Sequence, residues 1–247
     1  MRPNKRDVAP EEYGYKGLAT FEDMHIAELI GDTQISNAKG KVELATRSLT
    51  VSADAKLADD APITMIWKKN FYLEDGPSGI KLTGEFDSST GDLFGIASRQ
   101  YLRGPVKFDA NAKGEIGAFK SMELAADFSE AALTFDALGW RKPVGVAATG
   151  KVSINFGTDE VLVENLSIIG PSVNVGGELA FAPDGALRAA VLKQFYLENA
   201  ADQALTAERD LTGALALTAV GDFLNAGAFI ETLLDDTSGQ GSGELSW

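Results

Sequence analysis

One histidine, His25, serves a chain of 247 residues, and there is no cysteine. A Ser–His–Asp relay would have to pass through His25. Its segment, Met24-His25-Ile26-Ala27-Glu28-Leu29, is mostly apolar, and no Gly-x-Ser-x-Gly elbow occurs in the chain. His25 therefore reads as a structural residue. The lack of cysteine removes thiolate nucleophiles, disulfides and cysteine-based zinc sites together. Only oxygen-ligand metal sites remain. The acidic pairs Asp59-Asp60 and Asp235-Asp236 fall in turn or helix-end contexts and read as solvated carboxylates. Neither an EF-hand loop nor a Gly-Gly-x-Gly-x-Asp calcium repeat is present. Many Asp and Glu could serve glycosidase chemistry, but no spacing singles out two of them. Walker and Rossmann fingerprints are absent. The sequence thus predicts no catalytic residue, no metal and no cofactor.

Charge narrows the partners. Asp and Glu number 36 against 22 Lys and Arg, a net charge of −14. Nucleic-acid affinity rests on cations that neutralise phosphates, so that class is excluded. Docking of the whole body on an anionic membrane surface is disfavoured for the same reason. The first twelve residues, Met1-Arg-Pro-Asn-Lys-Arg-Asp-Val-Ala-Pro-Glu-Glu12, carry cations but no apolar core, unlike a signal peptide. No window approaches the roughly 18 apolar residues of a membrane-spanning helix. Either the chain is soluble where it is made, or a targeting segment lies upstream in a longer protein.

What remains for chemistry is apolar surface, and its spacing is regular. Leu49-Thr-Val51-Ser-Ala53-Asp-Ala55-Lys-Leu57 alternates with period two, as do Val152–Phe156, Val173–Phe181 and Leu211–Leu217. That pattern predicts strands with one apolar face that something must cover. Turn residues recur at Asn37–Gly40, Asp59–Pro62, Asp75–Gly79, Ser88–Asp92, Phe156–Asp159, Gly170-Pro171 and Pro183–Gly185. Short strands with turns at such intervals point to an all-β meander. The expected architecture is a long, twisted, mostly antiparallel open sheet curled into a groove. Residues 1–16 form a lead-in, 17–236 a single elongated domain and 237–247 a linker-like tail. A short helix is expected over 222–236, with Phe223, Ile230, Leu233 and Leu234 on one face; Gly227 weakens it.

The inner face is expected to be lined along the first half by Val42, Leu44, Leu49, Val51, Leu57, Leu124, Phe128, Leu133 and Phe135. In the second half the lining residues are Ile154, Phe156, Val163, Ile168, Val173, Val175, Leu179, Phe181, Leu215 and Leu217. If the face is open, Val175 and Phe181 should tolerate a carboxylate. Ordinary packing between two sheets is the competing expectation for every one of these side chains. A faint repeat accompanies them: Lys69-Asn-Phe-Tyr-Leu-Glu74 recurs as Lys193-Gln-Phe-Tyr-Leu-Glu198, as if strands were added serially.

One segment is more distinctive. Leu133-Thr-Phe135-Asp-Ala-Leu138-Gly-Trp140-Arg-Lys-Pro143-Val-Gly145 joins a short strand to a corner anchored by Trp140. Preceded by Glu123-Leu-Ala-Ala-Asp-Phe128, it resembles the AsmA-like proteins of bacterial envelopes, the group related to YhdP and TamB. Asp23–Ile30, Gly40–Leu44 and Leu49–Ala53 look like their opening repeats, and Gly221–Ile230 like the short helical segment that follows. The resemblance spans roughly residues 18–235 as a style of repeat. It implies a periplasmic place in the cell envelope and a curved β-groove that carries phospholipid, or another acyl-chain ligand, between inner and outer membranes. It also implies envelope membrane proteins as partners. Strands of 6–8 residues span about 20–26 Å, more than the roughly 15 Å of one hydrocarbon leaflet. Two other functions compete: a closed structural or adhesive β-sandwich or solenoid, and a carbohydrate-active enzyme on a β scaffold.

Overall fold

The structure, a computed structural model, describes residues 14–30, 33–58, 61–71, 78–87, 101–183, 185–210, 213–225 and 227. Alternating apolar positions build a meander. Five strands open it: β1 (Lys16–Ile30), β2 (Thr33–Ala45), β3 (Ser48–Leu57), β4 (Ala61–Asn70) and β5 (Gly79–Phe86). After the two-residue β6 (Leu102–Arg103) come β7 (Val106–Glu115) and β8 (Ala118–Asp127). The short β9 (Ala132–Phe135) and β10 (Trp140–Lys142) follow. The second half is β11 (Thr149–Phe156), β12 (Val161–Gly170), β13 (Val173–Phe181), β14 (Leu187–Leu197), β15 (Ala201–Arg209) and β16 (Leu215–Leu224).

Among the described residues thirteen strands form one sheet in chain order, with β6, β9 and β10 set aside in a separate three-stranded sheet ordered β10-β9-β6. Every pairing is antiparallel, and the large sheet is open rather than closed into a barrel. Because each strand pairs mainly with its sequence neighbour, short turns set the register locally.

The strands of the large sheet run from eight to fifteen residues, longer than the alternation suggested. Bulges explain the difference. Asn37–Gly40, expected as a turn, lies inside β2: Asn37 has φ +52° and the register to β3 shifts between Ser36 and Lys39. Asp23 in β1 and Asn165 in β12 have φ +59° and +52° and do the same. Asn and Asp tolerate this left-handed region, so side chains that resemble turn chemistry here mark an extra residue in a continuing strand. The expected turns at Phe156–Asp159 and Gly170-Pro171 do join β11 to β12 and β12 to β13.

The C-terminal expectation needs correction. Asp222, Phe223 and Leu224 do not begin a helix but complete β16, with Phe223 opposite Asp202 and Leu224 opposite Ala201. The strand from Leu215 continues through them, across one register shift at Asp222, because β15 offers an edge to pair with. The remainder of the expected helix from 228 and the tail 237–247 lie outside the described residues, as do lead-in residues 1–13 and the turn residues 59–60, 75–77 and 88–92. The echo between Lys69–Glu74 and Lys193–Glu198 links the hairpins β3–β4 and β13–β14 without preserving their register. Val51 faces Trp67, but Val175 faces Phe195, because the β13–β14 connection is two residues longer and their pairing has two register shifts. Residues 72–74 of the echo are also outside the described set.

Glycine permits the sheet to bend. A Cβ at Gly177 would run into the backbone of Val191 and Leu192, and one at Gly40 into that of Ser52 and Ala53. Neighbouring backbone this close marks a tight bend that only glycine fits. Gly177→Val is therefore expected to destabilise the fold by about 1–3 kcal/mol, seen as a lower urea midpoint. An unchanged midpoint would show that the bend is not required.

Candidate functional site: the apolar face of the large sheet

Following the register strand by strand reveals a row that crosses the entire sheet. Ala19 faces Val42, Val42 faces Val51, and the row continues through Trp67 and Ile80. Ala112, Met122 and Ile154 carry it to the middle. Val163, Leu179, Ala190, Ala207 and Leu217 complete it. Every strand of the thirteen contributes an apolar residue. A parallel row runs through Ala53, Met65, Leu82, Ala110 and Leu124 to Val152. Alternate residues point to opposite faces, so the intervening positions make a polar outer face. There Lys81 pairs with Asp109 at 2.6 Å and Asn155 donates to Glu164 at 2.8 Å. Exposed contacts of this kind, the Lys81–Asp109 ion pair included, contribute little to stability.

Burial along the apolar rows is uneven. Met65 and Met122 are 1% and 2% exposed, and Ile35, Leu57, Ile63, Ile80 and Leu82 are buried with them in one cluster. A flat sheet leaves its face wet, so the first eight strands of the array must curl until this face is dry. Toward the other end the cover thins. Val163 and Leu179 are half-buried, and Leu217 on β16 is 63% exposed. Polar side chains on this face are few and bound. Lys69 pairs with Glu115 at 2.9 Å, and Gln203 donates from Nε2 to the Phe223 carbonyl at 2.7 Å. The buried indole N–H of Trp67, on the central row, has no acceptor among the described residues.

The small sheet plugs one end of the face. Leu138 and Trp140 are buried against Val173, Val175, Phe195 and Leu197. Phe135 meets the edge of Phe195 with ring centroids 6.3 Å apart and stacks on Tyr101 at 5.4 Å. Lys142 holds the plug. Its side chain is fully buried, and Nζ donates to the carbonyls of Ala131 at 2.7 Å, Val146 at 2.8 Å and Pro143 at 3.2 Å. Burial pushes this ammonium below the ordinary lysine value, opposed in part by the Asp127 carboxylate. Hydrogen bonds from Ser129 in turn hold the Asp127 carboxyl below its usual range.

The residues expected to line the face divide accordingly. Val42, Val51, Ile154, Val163, Leu179 and Leu217 lie on the central row, and Leu124 on the next. Ile168 and Val175 share a third row, opposite each other and in line with Phe195. Leu44 faces Leu49, Phe156 faces Val161 and Leu215 faces Arg209 toward the opposite strand ends from the plug. Leu57 and Val173 are buried at the plug end of their strands, and Phe181 is half-buried. Phe128 and Leu133 pack between plug and sheet. Leu133 and Phe135 are not wall residues, because both belong to β9 of the small sheet. Sequence reasoning missed Ile63, Met65, Trp67, Ile80, Phe108 and Met122. The run Ala61, Ile63, Met65, Trp67 does alternate, but the adjacent Ile66 hides the period.

Compared with family models, with curated proteins and with solved structures, this chain matches none. The apolar face is the feature of this fold with a use beyond packing. Among the described residues no group of three or more His, Asp or Glu is placed to hold a metal ion. His25 lies on the exposed side of β1, away from the apolar rows. The face can exclude water and solvate hydrocarbon.

Proposed function

We propose that this chain shelters the acyl chains of a phospholipid or a related amphiphile, as a segment of a bridge-like lipid-transfer protein without catalytic chemistry. The observation that supports it is the unbroken apolar row from Ala19 to Leu217, whose cover is lost toward β16. Acyl chains need only continuous dry surface, with no dedicated polar site. The half-open stretch over β12–β16 is where they would lie. The resemblance of Leu133–Gly145 to AsmA-like proteins would put such a segment in the periplasm of a bacterial envelope, with envelope membrane proteins as partners.

Mass spectrometry of lipids that co-purify with the native protein tests this reading, together with uptake of a fluorescent fatty acid. Phospholipid in stoichiometric amount is the expected result. A folded sample that binds no amphiphile would sink it. A specific observation favours a second reading in that event. The near-complete burial of Leu57, Met65 and Met122 is what a self-covered structural β-protein would show.

A further inference from the structure

The two edges of the large sheet differ in kind. β1 is guarded. It carries Lys16, Glu22, Asp23 and His25, and bulges break its register with β2 three times. Charges and bulges are the usual means of keeping an edge strand from pairing. β16 has none of these on its ten residues, Leu215-Ala-Leu-Thr-Ala-Val-Gly-Asp-Phe-Leu224, beyond the single charge of Asp222 and one register shift near it. All ten are exposed, and among the described residues no strand pairs with the side of β16 away from β15. Apolar side chains stand out on both faces: Leu215, Leu217 and Leu224 on the inner one, Val220 and Phe223 on the outer. Val220 is 68% exposed. A flat, uncharged, apolar edge is a template for another strand.

We propose that β16 pairs with β16 of a second copy of this chain, antiparallel about a two-fold axis perpendicular to the sheet. Geometry selects this occupant. β1 and β16 are the first and thirteenth strands of an alternating antiparallel array, so they run in the same direction. Head-to-tail stacking would force a parallel pair against the charged, bulged edge. Self-pairing is antiparallel, as in the rest of the sheet, and a perpendicular two-fold keeps both inner faces on one side. With Ala219 opposite its own copy, Leu217 falls opposite Gly221 and Asp222 opposite Ala216, so no like charges meet. The apolar rows then run on without a break from one copy into the next. Both remaining edges are guarded β1 strands, so assembly stops at two.

Ten residues a side is below the roughly 20–30 of a standard interface, so the dimer forms reversibly with concentration. Each copy carries a net charge of −14, and screening should strengthen the association as salt rises. The proposal does not depend on lipid binding, and lipid analysis of the same samples reads that separately.

Sedimentation equilibrium of the full chain across a concentration series, at low and moderate salt, is the test. A monomer–dimer equilibrium favoured by salt is expected. Leu217→Lys and Val220→Lys, both at exposed positions, should each weaken it about tenfold, because a two-fold interface counts every substitution twice. Circular dichroism should show both variants folded. A strict monomer at every concentration, assemblies larger than two, or a dimer indifferent to both substitutions would overturn the proposal.

Discussion

Met65→Asp and Val175→Asp are each expected to lower the stability of the fold by about 3–5 kcal/mol, while Leu217→Asp leaves it nearly unchanged. Met65 lies between Ala53 and Leu82, 1% exposed, and Val175 between Ile168 and Phe195 beneath the Trp140 plug. A carboxylate at either place loses its water and gains no cation. Leaving a buried charge uncompensated costs about 3–5 kcal/mol, a large part of the roughly 5–15 kcal/mol that holds a domain together. Leu217 sits on the same apolar row as Ile80 and Met122, yet water already reaches it. The change there should stay within about 0.5 kcal/mol. Urea unfolding followed by circular dichroism separates the cases. A Val175→Asp variant as stable as the parent would show the face near the plug to be open. The alternation alone suggested such openness at Val175; burial under Leu138 and Trp140 reverses that expectation. Phe181, half-buried and away from the plug, keeps it.

Lys142→Met should cost about 3 kcal/mol. Methionine fills much of the same volume but donates nothing, so the carbonyls of Ala131, Pro143 and Val146 lose their common partner in a buried place. Each unsatisfied carbonyl carries a penalty of roughly 1–3 kcal/mol, relieved where water can enter. The pH dependence gives an independent signature. The folded state binds the Lys142 proton less tightly than the unfolded chain, whose lysine titrates near 10.5. Between the lowered value and 10.5 the unfolded state therefore holds more protons, and the stability contributed by this group rises with pH. The methionine variant should lack that rise. Denaturant midpoints of both proteins, measured from neutral pH to just below 10.5, test the sign. Parallel curves would mean that Lys142 reaches water.

Both sets of variants probe positions that differ in how visible they are along the chain. The strand at Leu49–Leu57 announces itself because polar Thr, Ser, Asp and Lys separate the apolar residues. The strand Val106-Lys-Phe-Asp-Ala-Asn-Ala112 alternates as strictly, but two of its inward residues are alanines, which carry a weak hydrophobic signal. Those alanines are buried because the curl brings neighbouring strands over them, a property of the whole sheet rather than of the segment. Trp140 was conspicuous by type and spacing, and it does anchor a corner. Lys142, two residues on, carries no such signal in the sequence. Only the fold around it supplies three carbonyls at hydrogen-bonding distance.

Period-two alternation by itself determined that the chain forms strands, that most of them follow one another as antiparallel neighbours, and that each has one apolar face; it left an open sheet and a closed sandwich equally possible. The properties it determined are local, written in side-chain polarity and short turns, and they need no knowledge of distant contacts. The tertiary structure decided which part of that face is dry and which is open, where the plug sits, and which edge is left without a guard. Each of these depends on the path of the whole sheet. The bend at Gly177, the register shifts at Asn37 and Asn165, and the return of β9 and β10 across the strand ends together set how far the face closes. Curvature accumulates over thirteen strands, so no single segment carries it, and exposure at Leu217 can differ from burial at Met122 along one continuous row of similar residues.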